Sequence, residues 1–175
     1  MRLFSIFFLI VFLSISTNAN ELKWKVENIP SIGPFVSING GVTWGDTINI
    51  RPSAKNCEYS EIFFSVYTAK MNKDIFDLKD KIIGTNLNSH KAGAKVIAVN
   101  KFLLGHHLLL SYGMYPSEID FYKKVIFDNK NSIEIRLIDA NKIIINEYFD
   151  IVYNNWNISG FDEAYLEVLE LCNKK

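Results

Sequence analysis

Few residues in this chain are able to do chemistry, and they are scattered. His106 and His107 form an adjacent pair, with His90 well apart from them. Neighbours on a strand point to opposite faces, so the pair is a poor two-point metal ligand. No carboxylate stands at a diagnostic spacing from it, and no metal site is expected. Asp74, Asp77 and Asp80 share a three-residue spacing. They would line up on a helix, but the calcium-loop pattern is missing and a solvated face is the better reading. No nucleophile elbow, phosphate loop or dinucleotide fingerprint occurs. Nothing marks the pair of carboxylates that glycoside hydrolysis needs. The expectation is a protein that is not an enzyme, with no catalytic residues and no cofactor.

Aromatic residues offer another chemistry, the stacking of a sugar or a peptide. The candidate binding patch is Trp44, which sits among Gly40, Gly41 and Gly45, together with Tyr112 and Tyr115 around Gly113. Aromatic side chains in small β domains also serve as core, which is the competing reading of the same residues. The two cysteines, Cys57 and Cys172, allow a single intramolecular pairing. An even count in an oxidising compartment favours a disulfide. A reactive thiol would want a neighbouring base, and a zinc site would want closely spaced ligand pairs, which this sequence lacks.

The compartment is suggested by the start of the chain. Met1-Arg2 is followed by an apolar run from Leu3 to Leu13, then by small and polar residues ending Thr17-Asn18-Ala19. That is the pattern of a cleaved secretory signal over residues 1–19. The run is shorter than the roughly 20 residues that span a bilayer. Arg2 leaves with the signal, so the remaining chain from Asn20 carries a formal charge of −1. A surface so balanced has little long-range pull on nucleic acid or anionic lipid. The chain is rich in Ile, Asn and Lys, and Arg2, Arg51 and Arg136 are its only arginines. This skew reflects an AT-rich genome and favours a bacterial periplasm over an animal secretory route. Localisation is expected to be periplasmic or secreted, with no membrane span in the mature chain.

The remaining residues must position whatever site exists. At 49% apolar and 22% charged, the chain is too apolar for a disordered tail and long enough for one real core. Residues 20–175 read as a single β-rich domain. Ile62, Phe64 and Val66 alternate as in a half-buried strand. Phe35 to Ile38, Val42 to Ile50, Ala94 to Val99 and Leu108 to Tyr115 are further strands. Phe121 to Phe127, Ser132 to Ile138 and Ile143 to Val152 read as a three-strand meander around two turns. Lys70 to Lys81 fits either a loop or a short helix. Phe161, Ala164, Tyr165, Val168, Leu169 and Cys172 recur at helical spacing, giving a C-terminal helix at about 161–172 with Ser159 as N-cap. Cys172 then faces the core, where a disulfide to Cys57 would pin the helix.

The segment Trp156-Asn157-Ile158-Ser159-Gly160-Phe161, followed by Ala164 and Leu169, resembles the closing segment of the bacterial invasion-associated locus B family and related small periplasmic proteins. The resemblance implies an exported β-sandwich with an accessory or host-interaction role. The fold class expected is therefore all-β, an antiparallel β-sandwich with a short C-terminal α-helix, and a closed barrel is the runner-up. The function expected is an exported, non-catalytic binding or accessory protein. Alternatives are a carrier holding a small apolar ligand in a pocket of about 300 Å³ or more, and an unrecognised hydrolase. Partners would be a protein, a glycan or a small apolar ligand, and the protein itself a monomer or homodimer.

Overall fold

The computed structural model describes residues 22–43 and 45–174. The expected signal over residues 1–19, and Trp44, lie outside the described residues.

Nine strands among the described residues form one antiparallel sheet. They are β1 (Lys25–Ile29), β2 (Gly33–Asn39), β3 (Thr47–Pro52), β4 (Tyr59–Thr68), β5 (Ile82–Leu87), β6 (His90–Phe102), β7 (Gly105–Pro116), β8 (Ser132–Ile138) and β9 (Tyr153–Asn157). Their spatial order is β1-β2-β3-β4-β7-β6-β5-β8-β9. The all-β class holds, but the strands hydrogen-bond as one curled sheet and not as the two separate sheets expected. Ile38, Ile48, Ile50, Ile62, Phe64, Leu108, Leu110, Val96, Ile133 and Ile135 line its concave face and are buried. Such alternation is what a sheet with one covered face requires.

The terminal helix (Phe161–Asn173) packs against β1, β2 and β3. Its buried residues Phe161, Ala164, Tyr165, Val168 and Cys172 are those the spacing selected. Phe161 sits in an aromatic cluster with Trp24 at 5.0 Å, Phe127 at 4.8 Å and Tyr165 at 5.1 Å between ring centroids. The Tyr165 hydroxyl lies 2.6 Å from Ser60 Oγ, which is 2.7 Å from Ser117 Oγ, so this buried polar atom is satisfied. The N-cap is Gly160, not Ser159. Gly160 has φ +78°, a turn into the helix that a side chain would disfavour, and it makes no side-chain cap bond. Cys57 and Cys172 form the expected disulfide, which closes a sequence separation of 115 residues.

The meander is corrected at both ends. Residues Ile119–Phe121 and Tyr122–Ile126 are helical turns, and only Ser132–Ile138 is a strand as expected. Tyr122, Ile126 and Phe127 are buried at spacings of four and one. That pattern suits a wide helical turn and defeats the period of two. After a bridge at Ile143, residues Ile145–Tyr148 form another turn, and the strand begins only at Tyr153. Lys73–Leu78 is a 3-10 turn capped by Asn72, whose side chain accepts from the Asp74 amide.

Curling brings the two sheet edges together. Trp24 Nε1 donates to the Asn157 carbonyl at 3.0 Å, and the Gly41 amide donates to the Asn155 carbonyl at 2.8 Å. Buried Asp46 lies at this seam, accepting from the Tyr67 amide at 2.7 Å and from Asn154 Nδ2 at 3.2 Å. Burial raises its carboxyl to about 6, against the partial opposition of those two donors, and the nearby Asp150 adds to the rise. The folded form therefore binds a proton more tightly than the unfolded chain does. This contribution to stability is fully present below about pH 4 and is lost as the pH rises through 6. A shift of this size corresponds to at most about 3 kcal/mol. Urea titrations between pH 4 and 7 should show that decline, and Asp46→Asn should flatten it. An unchanged slope in the variant would assign the dependence to other groups.

Candidate functional site

The outer, convex face of an antiparallel sheet is expected to be polar. Around Arg51 it is not. Phe35 of β2, Phe63 of β4, Leu109 of β7 and Ile97 of β6 point outward, and Ile32 from the β1–β2 turn closes one side. Together with Asn49 and Arg51 they line an open groove of about 350 Å³. A second depression of about 310 Å³ continues past Ile32 and Arg51 to Ser53, Lys55, Glu61 and Met114.

A polar string runs through this apolar surface. Arg51 Nη2 lies 3.2 Å from Glu61 Oε2, and its guanidinium sits over the Phe63 ring at 4.9 Å. Ser111 Oγ donates to Glu61 Oε1 at 2.8 Å and accepts from the Gly113 amide at 2.9 Å. Arg51 is therefore held flat by an aromatic face and a carboxylate, and its guanidinium carries further N–H donors of the kind that meet a carbonyl or carboxylate. Chemically the groove can take an apolar side chain and bind a polar group beside it.

A bulge in β7 shapes this surface. Ile62 pairs with Gly113 and Phe63 with Ser111, so Tyr112 is the extra residue, and Gly113 has φ +91°. On a regular strand Tyr112 and Met114 would share a face. The bulge reverses the alternation, turning Met114 outward beside Glu61 and bringing Tyr112 and Tyr115 to the same, inner side. Tyr112 stacks on Phe64 at 5.1 Å and its hydroxyl donates to Thr85 Oγ1 at 3.0 Å. Tyr115 lies 5.8 Å from Phe121, and its hydroxyl donates to the Tyr112 carbonyl at 3.2 Å. Burial pushes both hydroxyls above the usual tyrosine range. The two tyrosines do come together, but as a partly buried extension of the core and not as an exposed platform.

The histidines are not brought together as a site. His106 is buried, with Nδ1 3.2 Å from the Lys70 carbonyl and its ring 5.3 Å from Phe76. His107 faces the other side beside Phe102, and its partial burial lowers its pKa. Among the described residues no group of three or more His, Cys, Asp or Glu is placed to hold a metal ion. A gap beside Asp46, Val66 and Trp156 measures about 10 Å³.

No sequence motif announces the groove. One signal was available: Ile62-Phe63-Phe64 is an unbroken apolar run inside an alternating strand, which places a phenylalanine on the outward face. No family model, curated protein or solved structure matches the chain.

Proposed function

We propose that this chain is an exported, non-catalytic binding or accessory module, and that the groove around Arg51 and Phe63 receives a protein partner. The observation that carries this reading is the cluster of outward apolar residues on a face that should be polar. Its lining is mainly apolar, which suits a peptide side chain better than a glycan. Export is supported by the signal-like residues 1–19 and by the Cys57–Cys172 disulfide. Among the described residues no helix is long and apolar enough to cross a membrane. The likeness of residues 156–169 to the closing segment of the invasion-associated locus B family points to the same accessory role.

Site-specific photo-crosslinking in the native host tests the reading. A photoreactive side chain at position 97 should yield one discrete adduct, and the same group at position 134, across the sheet, should yield none. Phe63→Ser should lower the adduct about tenfold, as expected for losing one partly buried aromatic contact. An adduct the size of the chain itself would make the partner a second copy. No adduct at position 97, or one indifferent to Phe63→Ser, would remove the groove as the binding surface.

A further inference from the structure

The longest hairpin of the sheet ends in an apolar tip. Strands β6 and β7 are joined by Leu103 and Leu104, which are 78% and 84% exposed, and Phe102 before them is 53% exposed. Hairpin turns of this length normally carry Asn, Asp or Gly. Here Leu103 holds φ +49°, a left-handed conformation that a leucine adopts at a cost glycine or asparagine would avoid. Local chain geometry does not explain two leucines in solvent at this position.

The base of the tip is packed against the neighbouring strands. A Cβ at Gly105 would collide with the Thr68 carbonyl, so β7 leaves the turn in direct contact with the end of β4. Phe102 is held between Tyr67 at 6.4 Å and His107 at 6.0 Å. Exposed Lys101 precedes it. Moving back from the apex, the chemistry changes from two aliphatic side chains to an aromatic collar and then to a cationic side chain. That order follows the depth profile of one bilayer leaflet, with hydrocarbon outermost, aromatic rings at the interface and lysine reaching the headgroups.

We infer that Phe102-Leu103-Leu104 is a membrane-docking tip that inserts into the outer part of a lipid leaflet without spanning it. Because the apex is uncharged, the attachment is apolar and persists at high salt. It is independent of the groove around Arg51, which lies on the sheet face.

Hydrogen exchange of the full chain on phosphatidylethanolamine–phosphatidylglycerol vesicles tests this locally. Residues 1–21 contain their own apolar run, so vesicle binding alone is not the readout. The expected result is slowed exchange over residues 101–106 on adding vesicles, retained in 0.5 M salt. Leu103→Ser/Leu104→Ser should abolish that protection while the far-ultraviolet spectrum and melting curve stay unchanged. Flotation should fall about a hundredfold for the double variant of a chain beginning at Asn20, provided that chain melts as the full chain does. Unchanged exchange at the tip of vesicle-bound protein would overturn the inference. So would protection that appears without lipid and grows with protein concentration, which would make the tip a contact between copies.

Discussion

Reducing the Cys57–Cys172 disulfide should lower the unfolding free energy by about 4–5 kcal/mol, the value expected for opening a loop of this length. The link joins the β3–β4 connection to the end of the terminal helix. Cys57 sits between β3 and β4 with φ +55°, its amide donating to the Ser53 carbonyl at 3.1 Å. Cys172 lies in the last turn of the terminal helix. The first turns of that helix are secured by Phe161 and Tyr165 in the aromatic cluster, whereas Leu166 and Lys174 face solvent. Reduction should therefore act in two ways. The urea midpoint should fall, and hydrogen exchange should rise first at residues 169–174, with little change near Phe161. Cys172→Ser should reproduce both effects without reductant. A loss below about 1 kcal/mol would mean that packing of Val168 and Tyr165 alone fixes the helix.

The terminal helix was legible because its apolar positions repeat at helical spacing over the whole element, and its observed span, Phe161–Asn173, differs from expectation by one residue. Strand β4 was legible for the matching reason. Elements whose side chains answer to tertiary partners were not. Residues 121–127 place two lysines between apolar residues, which reads as a strand, yet Tyr122 and Phe127 turn into the aromatic cluster, and a helical turn is the conformation that brings both there. Strand β1 is almost wholly exposed and carries no pattern to read. Strand β5 contains Gly84, where a Cβ would meet Ala140 and the Ile138 carbonyl, a close approach that no local rule announces. The candidate site was least legible. Its residues come from β2, β3, β4, β6 and β7, and their outward direction depends on register and on the Tyr112 bulge, which appear only once the strands are paired.

Asn154→Ala should destabilise the protein by about 4 kcal/mol, because one buried carboxamide closes the seam of the curled sheet. Its Oδ1 accepts from the Val42 amide at 2.9 Å and from the Asn155 amide at 2.9 Å. Its Nδ2 donates to the Thr43 carbonyl and to Asp46 Oδ2, both at 3.2 Å. Truncation leaves the buried Asp46 Oδ2 without this donor, at about 1–3 kcal/mol, and takes a partner from the part-buried backbone groups of Val42, Thr43 and Asn155 as well. Gly40 belongs to the same device, since a Cβ there would run into the Asn154 carboxamide. Gly40→Ala should therefore weaken the seam by displacing Asn154, and combining the two variants should cost less than their sum. The variant also reports on Asp46. Nδ2 of Asn154 is one of the donors that hold the Asp46 carboxyl down against burial. Removing it should raise that carboxyl further above 6 and carry the pH-dependent loss of stability to higher pH. Urea midpoints across pH 4–8 should show both the drop and the displaced slope. A drop with an unmoved slope would separate the seam from the titration of Asp46. A loss below about 1 kcal/mol would show that the edge contacts Trp24–Asn157 and Gly41–Asn155 close the sheet without the carboxamide.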